Sequence, residues 1–296
     1  MASFAACEQK ARQEFFLSFV PRESNIHLNT GSAFAKGIEV FRRSYYDPKS
    51  SAKGDFERAR LSGFYALTHA FGLHEREPAD DEPKSHCGIS AAFESYIHHY
   101  HPSKDYLRPY VHEGVPVIEF SFVLPIDVPH PESGEPLLYS GRFDTAAELH
   151  SSIFGVDEKT TTFSLTERWR KQWDLRSQFT GYCWGARAFG LPVAGVIVRG
   201  TSIQKTQITH GEAITYRPQW MIDLWYENLL SRVRRMIHAW EISTFEYNFA
   251  DACTSYGGCP FVKVCSANPQ NRDRIYEAEF KRSVWDPAAH TRSEET

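Results

Sequence analysis

Hydrophobic spacing separates a helical first third from a mixed remainder. Residues 3–19, 31–46, 55–73 and 87–99 read as helices. From Val117 to Leu124 the period drops to two. Ile118, Phe120, Phe122 and Leu124 share one face, with Glu119 and Ser121 on the other, as in a half-buried strand. A proline-rich connection over 125–136 leads to a second strand at 137–144 (LLYSGRFD), and a third is expected at 153–160 (IFGVDEKT). A long helix over 164–189, carrying Trp169, Trp173 and Trp184, precedes the apolar run 191–199, which reads as a buried strand. Residues 202–217 are expected to form a hairpin around His210 and Gly211, and 218–241 a long amphipathic helix. Helices, then a strand meander, a helix and a further strand predict an α/β protein with a mixed sheet.

No stretch divides the chain into halves with separate cores, so one domain is expected over 1–296. The softest segments are Asp47–Asp55, Glu75–Ser85 and the polar tail after Trp285. With no run of about 18 apolar residues, no membrane partner is expected. The start, MASFAACEQKARQEFF, lacks a charged-then-apolar leader, so no signal peptide is read and a cytoplasmic location is expected. The balance of 33 Lys+Arg against 37 Asp+Glu excludes a generally basic DNA-coating protein. It leaves room for a local basic groove, because the field of a cleft is set locally.

The sharpest chemistry lies at two strand ends. Asp144 closes one strand, and Asp157, Glu158 and Lys159 close the next. Residues two apart in a strand point the same way, so Asp157 and Lys159 share a face and Glu158 points opposite. If the strands pair, Asp144 sits beside Asp157. Two adjacent carboxylates repel unless a cation lies between them, and oxygen ligands favour Mg²⁺ or Mn²⁺. A neighbouring lysine orients or helps deprotonate a water and stabilises charge on a phosphate oxygen, which is equipment for phosphodiester hydrolysis. By spacing alone, surface charges with Lys159 in an ion pair remain an alternative.

GRFD (141–144), VDEKT (156–160) and then Gln178 with Tyr182 four residues later form an ordered series. It resembles the PD-(D/E)XK nuclease superfamily in its RecB-like branch, whose pattern is G-x-x-D, (D/E)-x-K-T and Q-x-x-x-Y. The resemblance implies a restriction-endonuclease-like fold, a mixed central sheet flanked by helices. Residues 1–110 would be mainly helical, 111–245 the catalytic core, and 246–270 a cysteine segment, with 286–296 a polar tail. It implies metal ligation by Asp144 and Asp157, a catalytic Lys159, and a DNA groove lined by Gln178 and Tyr182. The branch also carries G-x-x-x-H-x-x-x-E on an early helix. Here Gly31, Ala35 and Glu39 occupy those positions, so the histidine is missing and Glu39 would supply the helix-borne carboxylate. The alternative for Glu39 is an ion pair with Arg42 or Arg43. Glu119, facing away from its strand's apolar side, could also approach the metal.

Cys253, Cys259 and Cys265 stand in CTSYGGCPFVKVC, where Gly257 and Gly258 let the backbone wrap closely. In a reducing compartment clustered cysteines point to metal or iron–sulfur binding rather than disulfides. Pro260 follows Cys259, as proline follows cysteine in ferredoxin-type runs, and neither gap fits the usual zinc pairs. Zinc and simple burial remain alternatives. A fourth ligand is needed, and Cys7, opening the first helix, resembles the 4Fe–4S layout of AddB-type, CRISPR-associated and phage-encoded relatives. That layout implies a staple between Cys7 and the C-terminal three. Cys183 reads as core, and Cys87 has no assignment.

His98, His99 and His101 read as a solvated helix end, and Trp169 and Trp173 as core. Arg168, Arg170, Lys171, Arg199 and Lys205 are phosphate contacts or a solvated face. The function expected from the resemblance is a metal-dependent DNA nuclease acting as an exonuclease in DNA processing, recombination or repair. Its partners would be DNA ends or single strands, with a recombination protein or helicase, in the host cytoplasm if the protein is phage-encoded. The rivals are an inactive nucleic-acid-binding accessory of recombination and a cysteine-cluster sensor.

Overall fold

The computed structural model describes residues 2–22, 26–72, 82–249, 251–254, 258–284 and 286. Gly257, most of the segment Glu75–Ser85 and nearly all of the tail after Trp285 lie outside the described residues. In chain order the elements are α1 (Ala2–Ala6), α2 (Glu8–Ala11), a π-helical turn (Arg12–Phe16), β1 (Phe19–Pro21), α3 (Ile26–Tyr46), α4 (Phe56–Gly72) and α5 (His86–His99). Next come β2 (Arg108–Pro109), β3 (Val111–His112), β4 (Val115–Pro116), β5 (Ile118–Pro129), β6 (Pro136–Leu149) and β7 (Ser152–Thr161). Then follow α6 (Glu167–Lys171), α7 (Ser177–Ala188), β8 (Val193–Ile203), β9 (Ile208–Tyr216) and α8 (Gln219–Glu241). The C-terminal part adds α9 (Val262–Ser266), α10 (Arg272–Glu279) and β10 (Phe280–Arg282). The result is a mixed α/β protein with a mixed central sheet flanked by helices and a helical N-terminal part.

Two compact units are distinguished, each assembled from distant segments. One comprises Ser24–Phe122 and Ser140–Asp223. Its sheet runs β2-β6-β7-β8-β9, with β5 also paired to β6. Along the path β2-β6-β7-β8-β9, among the described residues, β7 and β8 pair parallel and the other neighbours antiparallel. A parallel pair needs a crossover, and α6 with α7 supplies it. Side chains alternate across the sheet, so β8 feeds two cores. Ile203 joins Phe34, Ile38, Phe41, Leu67 and Phe93 of α3, α4 and α5. Val196 and Val198 join Trp169, Trp173 and Phe179 of the crossover. A Cβ at Gly63 would lie 2.7 Å from the Gly37 carbonyl oxygen, so α3 and α4 meet backbone to backbone.

The other unit comprises Met1–Glu23, Val123–Tyr139 and Leu224–Thr296. Here the two ends of the chain are tied together. β1 pairs antiparallel with β10, Phe19 opposite Arg282. Gln9 Nε2 donates to the Phe245 carbonyl at 3.0 Å, and Arg235 pairs with Glu8 at 2.7 Å.

Four sequence expectations need correction. The helix expected over 3–19 breaks at Cys7, whose backbone is extended (φ −163°, ψ 121°). The Gln9 amide there donates to the Glu246 carbonyl at 3.2 Å, a tertiary bond in place of a helical one. The helix expected over 164–189 is two, because Arg217, fully buried, takes over the backbone between them. Its Nη2 donates to the Trp173 carbonyl and its Nε to Thr180 Oγ1, both at 2.9 Å. The connection expected at 125–136 begins only after 129, because β5 continues through its first five residues: Ile126 and Val128 are buried while Pro125, Asp127 and Pro129 point outward. The hairpin turn lies at 204–207, closed by Gln204 N–H to the Gln207 carbonyl at 3.0 Å. His210 and Gly211 sit within β9, opposite Thr201 and Gly200.

Candidate active site

The antiparallel β6–β7 ladder aligns Thr145 with Val156 and brings the next residue pair, Asp144 and Asp157, to the same place. There the backbone amide of Glu158 donates to Asp144 Oδ2 at 2.7 Å. Asp157, 2 % exposed, is ion-paired with Lys159. Burial, then the charges of Glu158 and Asp157, hold the Asp144 carboxyl well above the usual carboxylate range. Burial also raises Asp157, against the opposing pull of Lys159. Burial works to lower the Lys159 pKa, but Asp157 and Asp144 outweigh it and raise it. Lys159 is therefore an ammonium, suited to neutralising charge rather than to accepting a proton.

The two faces of β7 separate two jobs. Val198, opposite Asp157 in the register, packs into the core with Phe143 and with Phe179 of α7. The same helix carries Gln178 and Tyr182 one turn apart, the Gln178 amide donating to the Tyr182 hydroxyl at 2.6 Å. The Arg176 charge before α7 also acts on Asp157. Asp157, Lys159, Gln178 and Tyr182 thus belong to one side of the sheet. Glu158 turns the other way, as the alternation required. It pairs with Arg42 of α3 and accepts from the Tyr96 hydroxyl of α5 at 2.9 Å. Burial alone would raise Glu158, but the Arg42 charge, a side-chain hydrogen bond with Asp144 and the Arg42 hydrogen bond bring it down to about 2.

This Arg42–Glu158–Tyr96 group is what sequence reading missed. Its signal was Arg42 itself, a charge inside the apolar α3 stripe of Phe34, Ile38 and Phe41. Gly31 lies on the same helix, and a Cβ there would meet Thr160 Oγ1 at 3.7 Å, so α3 runs along the end of β7. Glu39 is bound by Arg43 at 3.1 Å, one of the two pairings weighed as its alternative, and also by Lys36 at 2.9 Å, whereas Arg42 goes to Glu158. The Glu39 charge nonetheless reaches Glu119.

Glu119 is 7 % exposed and has φ 56°, a left-handed conformation that few non-glycine residues adopt. Its Oε2 lies 3.0 Å from Arg142 Nε. Burial raises it to about 7, with Arg142 opposing and Glu39 and Glu158 adding. A carboxyl raised by folding stabilises the fold fully below its unfolded pKa near 4.5, and that contribution fades as pH rises through about 7. In divalent-free buffer, Glu119→Gln should match wild type at about pH 4.5 and be more stable above pH 7, by on the order of 1–3 kcal/mol. Urea unfolding at both pH values measures this. A difference that does not change with pH would mean that Glu119 ionises normally.

Other expectations resolve simply. His98 and His101 both pack against Phe56, with His98 3.9 Å from Glu94 and His101 bonded to Ser103, while His99 turns towards His210. Trp169 and Trp173 are core. Arg199 is neither a phosphate contact nor a solvated residue. It is buried, held by Asp105 and Glu212 over the Tyr100 ring. Cys183 is fully buried, and burial pushes its thiol up to about 12. Cys87 is exposed.

Cys7, Cys253, Cys259 and Cys265 all lie in the unit that joins the chain ends. The Cys259 amide donates to the Cys253 carbonyl at 2.9 Å. Gln13 Nε2, from the π-helical turn, reaches Cys265 Sγ at 3.6 Å. Burial raises Cys259 and Cys265, and the other cysteines add to it: Cys253 and Cys265 on Cys259, Cys7 and Cys253 on Cys265. Among the described residues, no three His, Cys, Asp or Glu side chains form a closed metal-ligand set. Mg²⁺ is commonly held by one or two carboxylates plus water, so Asp144 and Asp157 suit it in number and chemistry. The four thiols suit iron–sulfur ligation in kind.

No protein-family model matches the chain, and no curated protein matches it. Among solved structures it is similar to the crystal structure of SSO0001, at 15 % identity and a TM-score of 0.33, over 90 % of this chain and 97 % of that one. A likeness this distant carries no argument about chemistry. Among the described residues, no helix is long and apolar enough to cross a membrane.

Proposed function

We propose that this protein is a divalent-metal-dependent deoxyribonuclease of the RecB-like kind, acting as an exonuclease on DNA ends or single strands in the cytoplasm. The observation that supports this best is the meeting of Asp144 with the Asp157–Lys159 pair, reached through the 2.7 Å bond from the Glu158 amide to Asp144. Asp144 and Asp157 would hold the cation. When bound, it neutralises the two carboxylates and polarises a phosphate oxygen. The Lys159 ammonium stabilises negative charge gathering on that phosphate. Gln178 and Tyr182, exposed or half-buried on the same side, contact the nucleic acid. Arg42 and Tyr96 fix Glu158, and through its amide they fix Asp144.

The test is cleavage of linear, circular and single-stranded DNA with Mg²⁺ or Mn²⁺. Loss of linear and single-stranded substrates with circular DNA spared is expected. The second reading, an inactive accessory protein, is favoured by Ala35 where the branch carries histidine. Binding without cleavage under every metal condition would establish it instead.

The four cysteines are proposed to hold a 4Fe–4S cluster. Anaerobically purified protein should be brown, with about four irons per chain. Cys7→Ser should lose iron and melt lower, whereas Cys87→Ser should do neither. Metal analysis with one zinc and no iron would replace the cluster with a zinc site. Iron-loaded Cys7→Ser as stable as wild type would remove Cys7 from the ligand set.

A further inference from the structure

The unit that joins the chain ends contains a cavity of about 390 Å³, remote in sequence from Asp144, Asp157 and Lys159. Arg12, Arg272 and Arg282 line it, against a single acidic side chain, Asp273. Each guanidinium carries five donors in a planar fork suited to phosphate oxygens. Arg272 gives Nε to the Ala267 carbonyl at 3.3 Å and Nη1 to the Tyr247 hydroxyl at 3.0 Å. Arg282 gives Nη1 to the Leu17 carbonyl at 3.0 Å. These bonds use neutral acceptors. Among the described residues none of the three arginines is ion-paired with a carboxylate, so the lining keeps a net positive charge.

The remaining wall mixes aromatic rings and amides with the apolar Leu17, Val264 and Pro269 and the thiol of Cys265. Tyr276 stacks on Phe19 with ring centres 4.1 Å apart, and Tyr247 stacks on the exposed Phe249 at 5.2 Å. Gln9 and Gln13 add side-chain amides. Guanidiniums for a phosphate, flat rings for a base and room within the range of small-molecule sites belong together.

We infer that this cavity binds the phosphate monoester of a nucleotide, either free or as the 5′-phosphorylated end of a strand. The site goes beyond the proposed nuclease centre and needs neither its carboxylates nor a divalent cation; it borders the proposed cluster through Cys265, which lines it. A dianionic phosphate meets the surplus of positive charge, and the adjoining base meets the tyrosine rings.

Calorimetric titration of the whole protein, in divalent-free buffer at low salt, tests this with four probes. These are deoxyadenosine 5′-monophosphate, deoxyadenosine, and one short oligonucleotide with a 5′-phosphate or a 5′-hydroxyl. The monophosphate should bind and deoxyadenosine should not. Arg282→Gln, at an exposed position, and separately Arg12→Gln should each weaken the monophosphate roughly tenfold or more while cleavage of long DNA is kept. Tighter binding of the 5′-phosphorylated oligonucleotide than of both its 5′-hydroxyl form and the monophosphate identifies a strand end. Equal binding of the monophosphate and the phosphorylated oligonucleotide identifies a free nucleotide. Equal binding of monophosphate and deoxyadenosine, no binding of either phosphate probe, or unchanged affinity in both folded arginine variants would overturn the site. An inactive nuclease that still binds the monophosphate leaves the site standing and rejects only the nuclease proposal.

Discussion

Lys159→Ala should fold normally, bind DNA and cleave it about a hundred- to a thousandfold more slowly than wild type, as expected when a group stabilising transition-state charge is removed. The reason lies in the state of the side chain. Asp157 and Asp144 hold Lys159 as an ammonium despite its burial, so its charge is available to the phosphate and its proton is not a liability. Asp144→Asn and Asp157→Asn should be as damaging, because each removes a charge from the proposed cation site. Both should weaken DNA binding little, since Gln178 and Tyr182 are untouched. Single-turnover cleavage with saturating Mn²⁺, beside a binding measurement, separates the two effects. Purified Lys159→Ala cutting at the wild-type rate would remove this site from consideration.

Arg42→Ala should cost about 3–5 kcal/mol of stability, because it leaves the Glu158 carboxylate buried without its cation. Arg42 is 7 % exposed and Glu158 8 %, so water replaces little of the lost interaction. Combining Arg42→Met with Glu158→Gln should recover much of the loss, since no uncompensated charge then remains. The wild-type pair also predicts acid sensitivity. Folding depresses the Glu158 pKa from 4.5 to about 2. Its stabilisation is therefore present above about pH 4.5 and is lost as pH falls towards 2. The double variant should lack this component of acid unfolding. Denaturant titrations at pH 7 and 3 measure both effects. Arg42→Ala as stable as wild type would mean that the pair contributes nothing. Because the Glu158 amide holds Asp144, cleavage by Arg42→Ala at a temperature where it remains folded should also fall.

Local pattern was informative wherever neighbours along the chain determine the outcome. The alternation over 153–160 made a strand, and it correctly separated Asp157 and Lys159 from Glu158. The i, i+4 spacing of Gln178 and Tyr182 became a direct hydrogen bond. The helices α4, α5 and α8 lie within a residue or two of where periodicity put them. Pattern failed where a distant residue claimed the backbone. Arg217 ends one helix and permits another by taking the Trp173 carbonyl, and nothing within residues 164–189 announces it. Glu246 likewise breaks the first helix by accepting the Gln9 amide.

The site divides along the same line. Its residue types were set by the sequence alone: two aspartates and a lysine at strand ends, four separated cysteines, and a helix glutamate four residues after Ala35. Tertiary structure decided what those groups experience. It turned Glu158 towards Arg42 and Tyr96, left Glu39 between Lys36 and Arg43, and raised Glu119 by burial to about 7. It also gathered Arg12, Arg272 and Arg282 around one cavity although about 260 residues separate the first two. Side-chain type and strand or helix period are local properties, readable residue by residue. Desolvation and charge pairing depend on which distant segments pack together, and that is determined only when the whole chain folds.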